Sequence, residues 1–156
     1  MGLLYIDLSI GMELIWLDKK EPSFENDERA ILYSQTLLAL ISETETLFNE
    51  NIPLPIETKD WLDHSGNPTY QAVSYTSGYL RGLELSIQAR DPYGVIDDED
   101  KAQLQQTCLL LLSKVAHYQT EDKTLQTLFS GLPEYKEIIA VLPKLLSQYG
   151  FNCAQY

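Results

Sequence analysis

The side chains that carry most catalytic chemistry are scarce in this 156-residue chain: two His (His64, His117) and two Cys (Cys108, Cys153). The histidines have no metal-ligand spacing between them, and no third ligand stands in motif context. A nucleophilic cysteine needs an adjacent base and an exposed, electropositive setting. Cys108 instead opens the run Cys108-Leu109-Leu110-Leu111-Leu112 and reads as a small buried hydrophobe. His117 follows nine positions later, on roughly the opposite face of the same expected helix. Asp63 stands beside His64, a weak signal because sequence neighbours point apart. No phosphate loop, dinucleotide fingerprint or serine elbow occurs. The expectation is a non-enzyme without catalytic residues, bound metal or cofactor.

Two constellations remain that could bind something. Ser74, Gly78, Gly82 and Ser86 are each one i,i+4 step from the next, so they form one ridge of a helix. A helical glycine costs about 1 kcal/mol relative to Ala, and two on one ridge imply close approach to the backbone. Another helix packed on the ridge is the expected cause. The alternative is the floor of a ligand pocket, with Arg81 binding an anionic group. Tyr75 and Tyr79 lie one turn apart on the same helix, among ten tyrosines in the chain. Tyrosine joins contact area to a hydroxyl and is favoured at interfaces.

Charge is the third feature. Eleven basic and 23 acidic residues give a net charge of −12. Such a balance disfavours phosphate neutralisation and repels anionic membranes, so neither nucleic acid nor membrane is an expected partner. The run Asp97-Asp98-Glu99-Asp100 falls where a helix should start, where acids complement the dipole. The larger excess lies in residues 1–60, which alone carry a net −8. It includes Glu43, Glu45, Glu50, Glu57 and Asp60, with Trp61 and Asp63 just beyond. An acidic surface of this kind speeds association with a basic protein.

The elements that must position these residues read as mainly α. Apolar residues alternate from Leu4 to Ile10, so residues 1–17 suggest a strand or hairpin. Asn26 and Asp27 cap a helix over 27–48, with Ala30, Tyr33, Leu37, Leu40, Ile41 and Phe48 on its apolar face. Asn67 as cap and Pro68 at the first position start a helix over 68–90. Further helices are expected over 98–118, 121–130 and 134–147. Pro143 should bend or break the last one, and Gly150 resembles a C-terminal cap. The whole reads as one acidic domain, an irregular antiparallel bundle of about five helices.

Two cysteines are too few for a disulfide scaffold, and no secretory signal or membrane span is visible, so the expected setting is the cytoplasm. The function expected from this profile is binding of a basic protein partner by an inhibitor, such as a bacterial immunity protein that neutralises a toxin. The partner-binding residues would be Glu43, Glu45, Glu50, Glu57, Asp60, Trp61, Asp63, Tyr75 and Tyr79. The alternatives are a small-ligand domain or unfamiliar enzyme with its pocket at Ser74, Gly78, Arg81, Gly82 and Ser86, and a homo-oligomeric scaffold.

Overall fold

The structure, a computed structural model, describes residues 24–90 and 99–154, without the side chains of 85–90 and 153–154. The expected strand or hairpin over 1–17 lies outside these residues. The described chain is a mainly α helical bundle with five helices: α1 (Asp27–Asn49), α2 (Tyr70–Arg90), α3 (Glu99–Ala116), α4 (Lys123–Ser130) and α5 (Tyr135–Ala154). It divides into two compact units. Of the described residues, one comprises 24–52 with 150–154, and the other 53–90 with 99–149.

In the first unit α1 begins and ends on local chemistry. Asn26 is extended, and its Oδ1 accepts a hydrogen bond from the Arg29 amide at 2.9 Å. Asp27 and Glu28 occupy the first turn, where the dipole favours acids. At the far end Asn51 adopts a left-handed φ of 54°. The Ile52 amide donates to the Leu47 carbonyl at 2.8 Å and the Asn51 amide to the Phe48 carbonyl at 3.3 Å. These two bonds are a Schellman closure, with Asn in the position glycine usually takes. Gly150 belongs to this unit as well. It sits inside α5, and the Phe48 ring occupies the space a Cβ there would need. Gly150 therefore permits a close approach, and the helix continues past it rather than ending there.

The second unit holds a core built from three ridges and a loop. Ala72, Leu80 and Leu83 of α2 meet Cys108, Leu111, Leu112 and Val115 of α3, and Ile138, Ile139, Leu142 and Leu146 of α5. Trp61 joins from the preceding loop. Thr76 is fully buried on the α2 ridge, and its hydroxyl donates to the Ala72 carbonyl at 2.8 Å. Lys114 is also buried. Its Nζ donates to the Leu132 and Pro133 carbonyls at 3.1 and 2.8 Å and lies 5.3 Å from the Tyr135 ring centre. A lysine thus ties the end of α3 to the α4–α5 connection. Asp122 caps α4, accepting from the Thr124 and Leu125 amides.

Two expected boundaries are corrected. α2 starts at Tyr70, not at Asn67 and Pro68. The Asn67 carbonyl accepts from the Asp63 amide at 2.9 Å, and Pro68 is buried in a bridge opposite Leu62. Both residues are committed to the loop, and Thr69 accepts the first helical bond, from Val73. Pro143 does not break the last helix into two, since α5 runs from Tyr135 to Ala154 with the proline inside it. A helical proline costs about 3 kcal/mol. Leu142 and Leu146, fully buried on either side of it, each return about 2 kcal/mol. Ser147 adds a link, donating to the Pro143 carbonyl at 2.7 Å and accepting from the Leu54 amide at 2.8 Å. That amide is part-buried, and such a group left without a partner costs about 1–3 kcal/mol.

Candidate functional site

The loop 60–69 and the first turns of α2 hold several of the residues singled out by sequence. Trp61 is not a surface anchor, because it is 5% exposed and its ring packs 5.0 Å from that of Tyr75. Tyr79 follows 6.1 Å further along. Trp61, Tyr75 and Tyr79 thus make an aromatic row with the tyrosines half-buried at its rim. Burial pushes the Tyr75 phenol above its ordinary pKa, so it stays protonated and can donate. The sequence marks Trp61 as large and apolar but not as loop-supporting, a role that depends on Thr69 folding back. Thr69 donates its amide to the Trp61 carbonyl and its hydroxyl to the Asp60 carbonyl.

Asp63 is a structural acid. Its Oδ1 accepts the Ser65 and Asn67 amides at 2.8 and 3.0 Å, holding the turn in which Gly66 takes a φ of 81°. The Asn67 amide, foremost, holds its carboxyl below the usual range. His64 beside it is exposed. At the other predicted chemical positions, Cys108 is fully buried with its Sγ 3.9 Å from the Leu145 carbonyl, while His117 is exposed against the Ser113 carbonyl. Among the described residues no group of three His, Cys, Asp or Glu is placed to hold a metal ion.

The small-residue ridge does not pack as expected. Ser74 and Gly78 are exposed, Gly82 is half-exposed, and a Cβ at either glycine would meet nothing within 4 Å. The α2 ridge that meets the core is instead the one through Ala72, Thr76, Leu80 and Leu83, roughly opposite. Arg81 is exposed and pairs with Glu84 at 3.0 Å on its own helix. The side chain of Ser86 lies outside the described residues, as do Asp97 and Asp98. Glu99 and Asp100 of the same acidic run occupy the first turn of α3.

The acids fall in both units: Glu43, Glu45 and Glu50 in the first, Glu57, Asp60 and Asp63 in the second, all exposed. Glu57 lies 4.0 Å from Lys59. Glu43, Glu45, Glu50 and Asp60 form no ion pair among the described residues.

The residues that sequence reasoning missed are on α1. None of its 23 residues is buried. Ala30, Leu37 and Phe48 of the expected apolar face are half-buried, but Tyr33, Leu40 and Ile41 are exposed. Ile31 (56%), Leu32 (64%) and Leu38 (50%), outside that face, are exposed as well. At about 100° per residue these side chains form two stripes flanking the half-buried side. One is Asp27, Ile31, Ser34, Leu38, Ile41, Glu45, in alternating steps of four and three residues. The other is Arg29, Leu32, Thr36, Leu40, Glu43. The signal was present in the sequence as an uncharged stretch from Ala30 to Ser42 that is apolar on more than one side.

No family model, curated protein or solved structure matches the chain.

Two outcomes follow from this geometry. Gly78→Ala and Gly82→Ala should each stabilise the protein by about 0.5–1 kcal/mol, because a Cβ gains helix propensity and meets nothing. Thermal unfolding of each variant checks this, and a lowered midpoint would mean the ridge is covered. For Asp63, a carboxyl with a lowered folded-state pKa stabilises above its unfolded-state pKa and loses that contribution as pH falls through the folded-state value. The stability gap between wild type and Asp63→Ala should therefore be full at neutral pH and close below the ordinary carboxylate range, as urea midpoints across pH would show.

Proposed function

We propose that this protein is a small acidic protein-binding domain, of the inhibitor or immunity type, that neutralises a basic protein partner by occluding it. The observation that supports the reading is the stripe Asp27, Ile31, Ser34, Leu38, Ile41, Glu45 on α1, solvent-exposed along its whole length. A soluble helix normally turns such a stripe toward a core. Here its apolar middle is flanked by an acid at each end, and no base lies on it. That is the layout of a contact patch with an apolar centre and a charged rim. The Trp61, Tyr75 and Tyr79 row supports the second unit rather than the contact.

Charge complementarity sets association rate, and the desolvated apolar centre sets how long the complex lasts. Occlusion needs no catalytic group, so a partner's active surface is blocked by coverage alone.

The ligand-pocket alternative retains one specific support, the open space above Gly78 and Gly82. Loss of a bound small molecule in Gly78→Ala, with stability raised, would favour it.

Capture from a native-host extract tests the main reading. The wild-type chain should retain a protein of high isoelectric point, more at low salt than at high. Leu38→Ser should lose it at both, with unchanged helix content by circular dichroism. Retention of no protein at either salt concentration, or equal retention by Leu38→Ser, would overturn the proposal.

A further inference from the structure

The second stripe of α1, Arg29, Leu32, Thr36, Leu40, Glu43, has a property the first lacks: it is complementary to itself. Reflect α1 about Thr36, as an antiparallel two-fold pairing does. Leu32 then meets Leu40 of the other copy, Thr36 meets Thr36, and Arg29 meets Glu43. Every contact is like with like for the apolar groups and opposite for the charges. The same operation on the first stripe sets Asp27 against Glu45, acid against acid. A parallel pairing of the second stripe sets Arg29 against Arg29, which is repulsive.

We infer that α1 binds a second copy of this chain through Leu32, Thr36 and Leu40, antiparallel about Thr36, with Arg29 of each copy paired to Glu43 of the other.

Three local features prepare the face. Leu32 and Leu40 are 64% and 55% exposed, the greatest exposures among the large aliphatic side chains of α1 apart from Ile31. The Thr36 hydroxyl already donates to the Leu32 carbonyl at 2.8 Å, so the centre of the contact demands no new polar partner. Among the described residues Arg29 pairs with Glu25, just before the helix, at 3.3 Å, and both side chains are exposed. Exposed i,i+4 pairs contribute little, so Arg29 can exchange Glu25 for an intermolecular partner. The paired segment from Arg29 to Glu43 is about 21 Å long, four turns of helix. A contact of that length is small against a standard interface, which makes the association concentration-dependent. The inference does not rest on the basic partner, since the two stripes flank the half-buried side of α1 from opposite directions. A self-paired chain would present the acidic stripe twice.

Sedimentation equilibrium of the full chain over a range of concentrations is the test. The wild type should shift from 17.8 kDa toward twice that mass as concentration rises. Arg29→Glu sets two acids against each other, Glu43→Arg two bases, and each should weaken self-association about tenfold or more. The double variant Arg29→Glu/Glu43→Arg restores opposite charges with exchanged positions and should recover it. Leu40→Asp should abolish it, with circular dichroism confirming the fold in each case. A wild type that stays at 17.8 kDa at every concentration overturns the inference. Single charge variants that still associate like wild type, or a double variant that does not recover, overturn the assigned face and register.

Discussion

Burial of one continuous ridge of α5, Ile138, Leu142 and Leu146, is the interaction on which the second unit depends. These three side chains are fully buried at i,i+4 spacing, and they stand in one core with Leu112 and Val115 of α3 and Ala72 of α2. Their burial offsets the interior proline. It also brings Ser147 one turn beyond, where it accepts the Leu54 amide and so fixes the start of the 53–69 segment. Trp61 is then buried by that segment, and the Asp63 turn returns the chain to α2. The loop that sequence marked as a landing site is thus largely committed to holding its own fold.

α1 obeys a different constraint. A helix can face a given neighbour with one side only, and this one carries apolar residues on three. Its half-buried side uses Ala30, Leu37 and Phe48, with Gly150 leaving room for the Phe48 ring. The remaining two sides carry Ile31 and Leu38, and Leu32 and Leu40, in solvent. Exposed apolar stripes on a solvated surface mark sites that other molecules cover. What separates the two stripes is charge alone. Acid stands at both ends of one, so an antiparallel pairing of two copies there sets like charges together. Arginine at one end and glutamate at the other suits a second copy. On the two proposals, one helix would serve two partners through the placement of Asp27, Arg29, Glu43 and Glu45.

Much of the helical layout was legible because it rests on local chemistry. Asn26 caps the helix it was expected to start, and Asp122 caps one that starts at Lys123, two residues past the expected 121, each through a side-chain oxygen on amides two or three residues away. Glu99 and Asp100 occupy the first turn that their charge suits. The misreadings are where a distant group decides. Pro143 breaks a helix by local rules, and only its buried neighbours reverse that. Asn67 and Pro68 look like a cap and first turn until Asp63 and Leu62 engage them. The glycine ridge implied a close neighbour, yet the helix rolls that ridge to solvent because Ala72, Thr76 and Leu80 outcompete it for the core. Trp61 looked like an anchor because type and position do not reveal burial. The α1 stripes escape a periodicity rule that looks for a single core-facing side.

The central claim is that α1 lies open in the single chain and is covered by recognition. Hydrogen exchange along the chain at increasing protein concentration tests it most directly. In dilute solution residues 29–43 should exchange faster than 138–146, and their exchange should slow as concentration rises while 138–146 stays unchanged. Exchange across 29–43 as slow as in 138–146 at the lowest concentration, or independent of concentration throughout, would contradict the account.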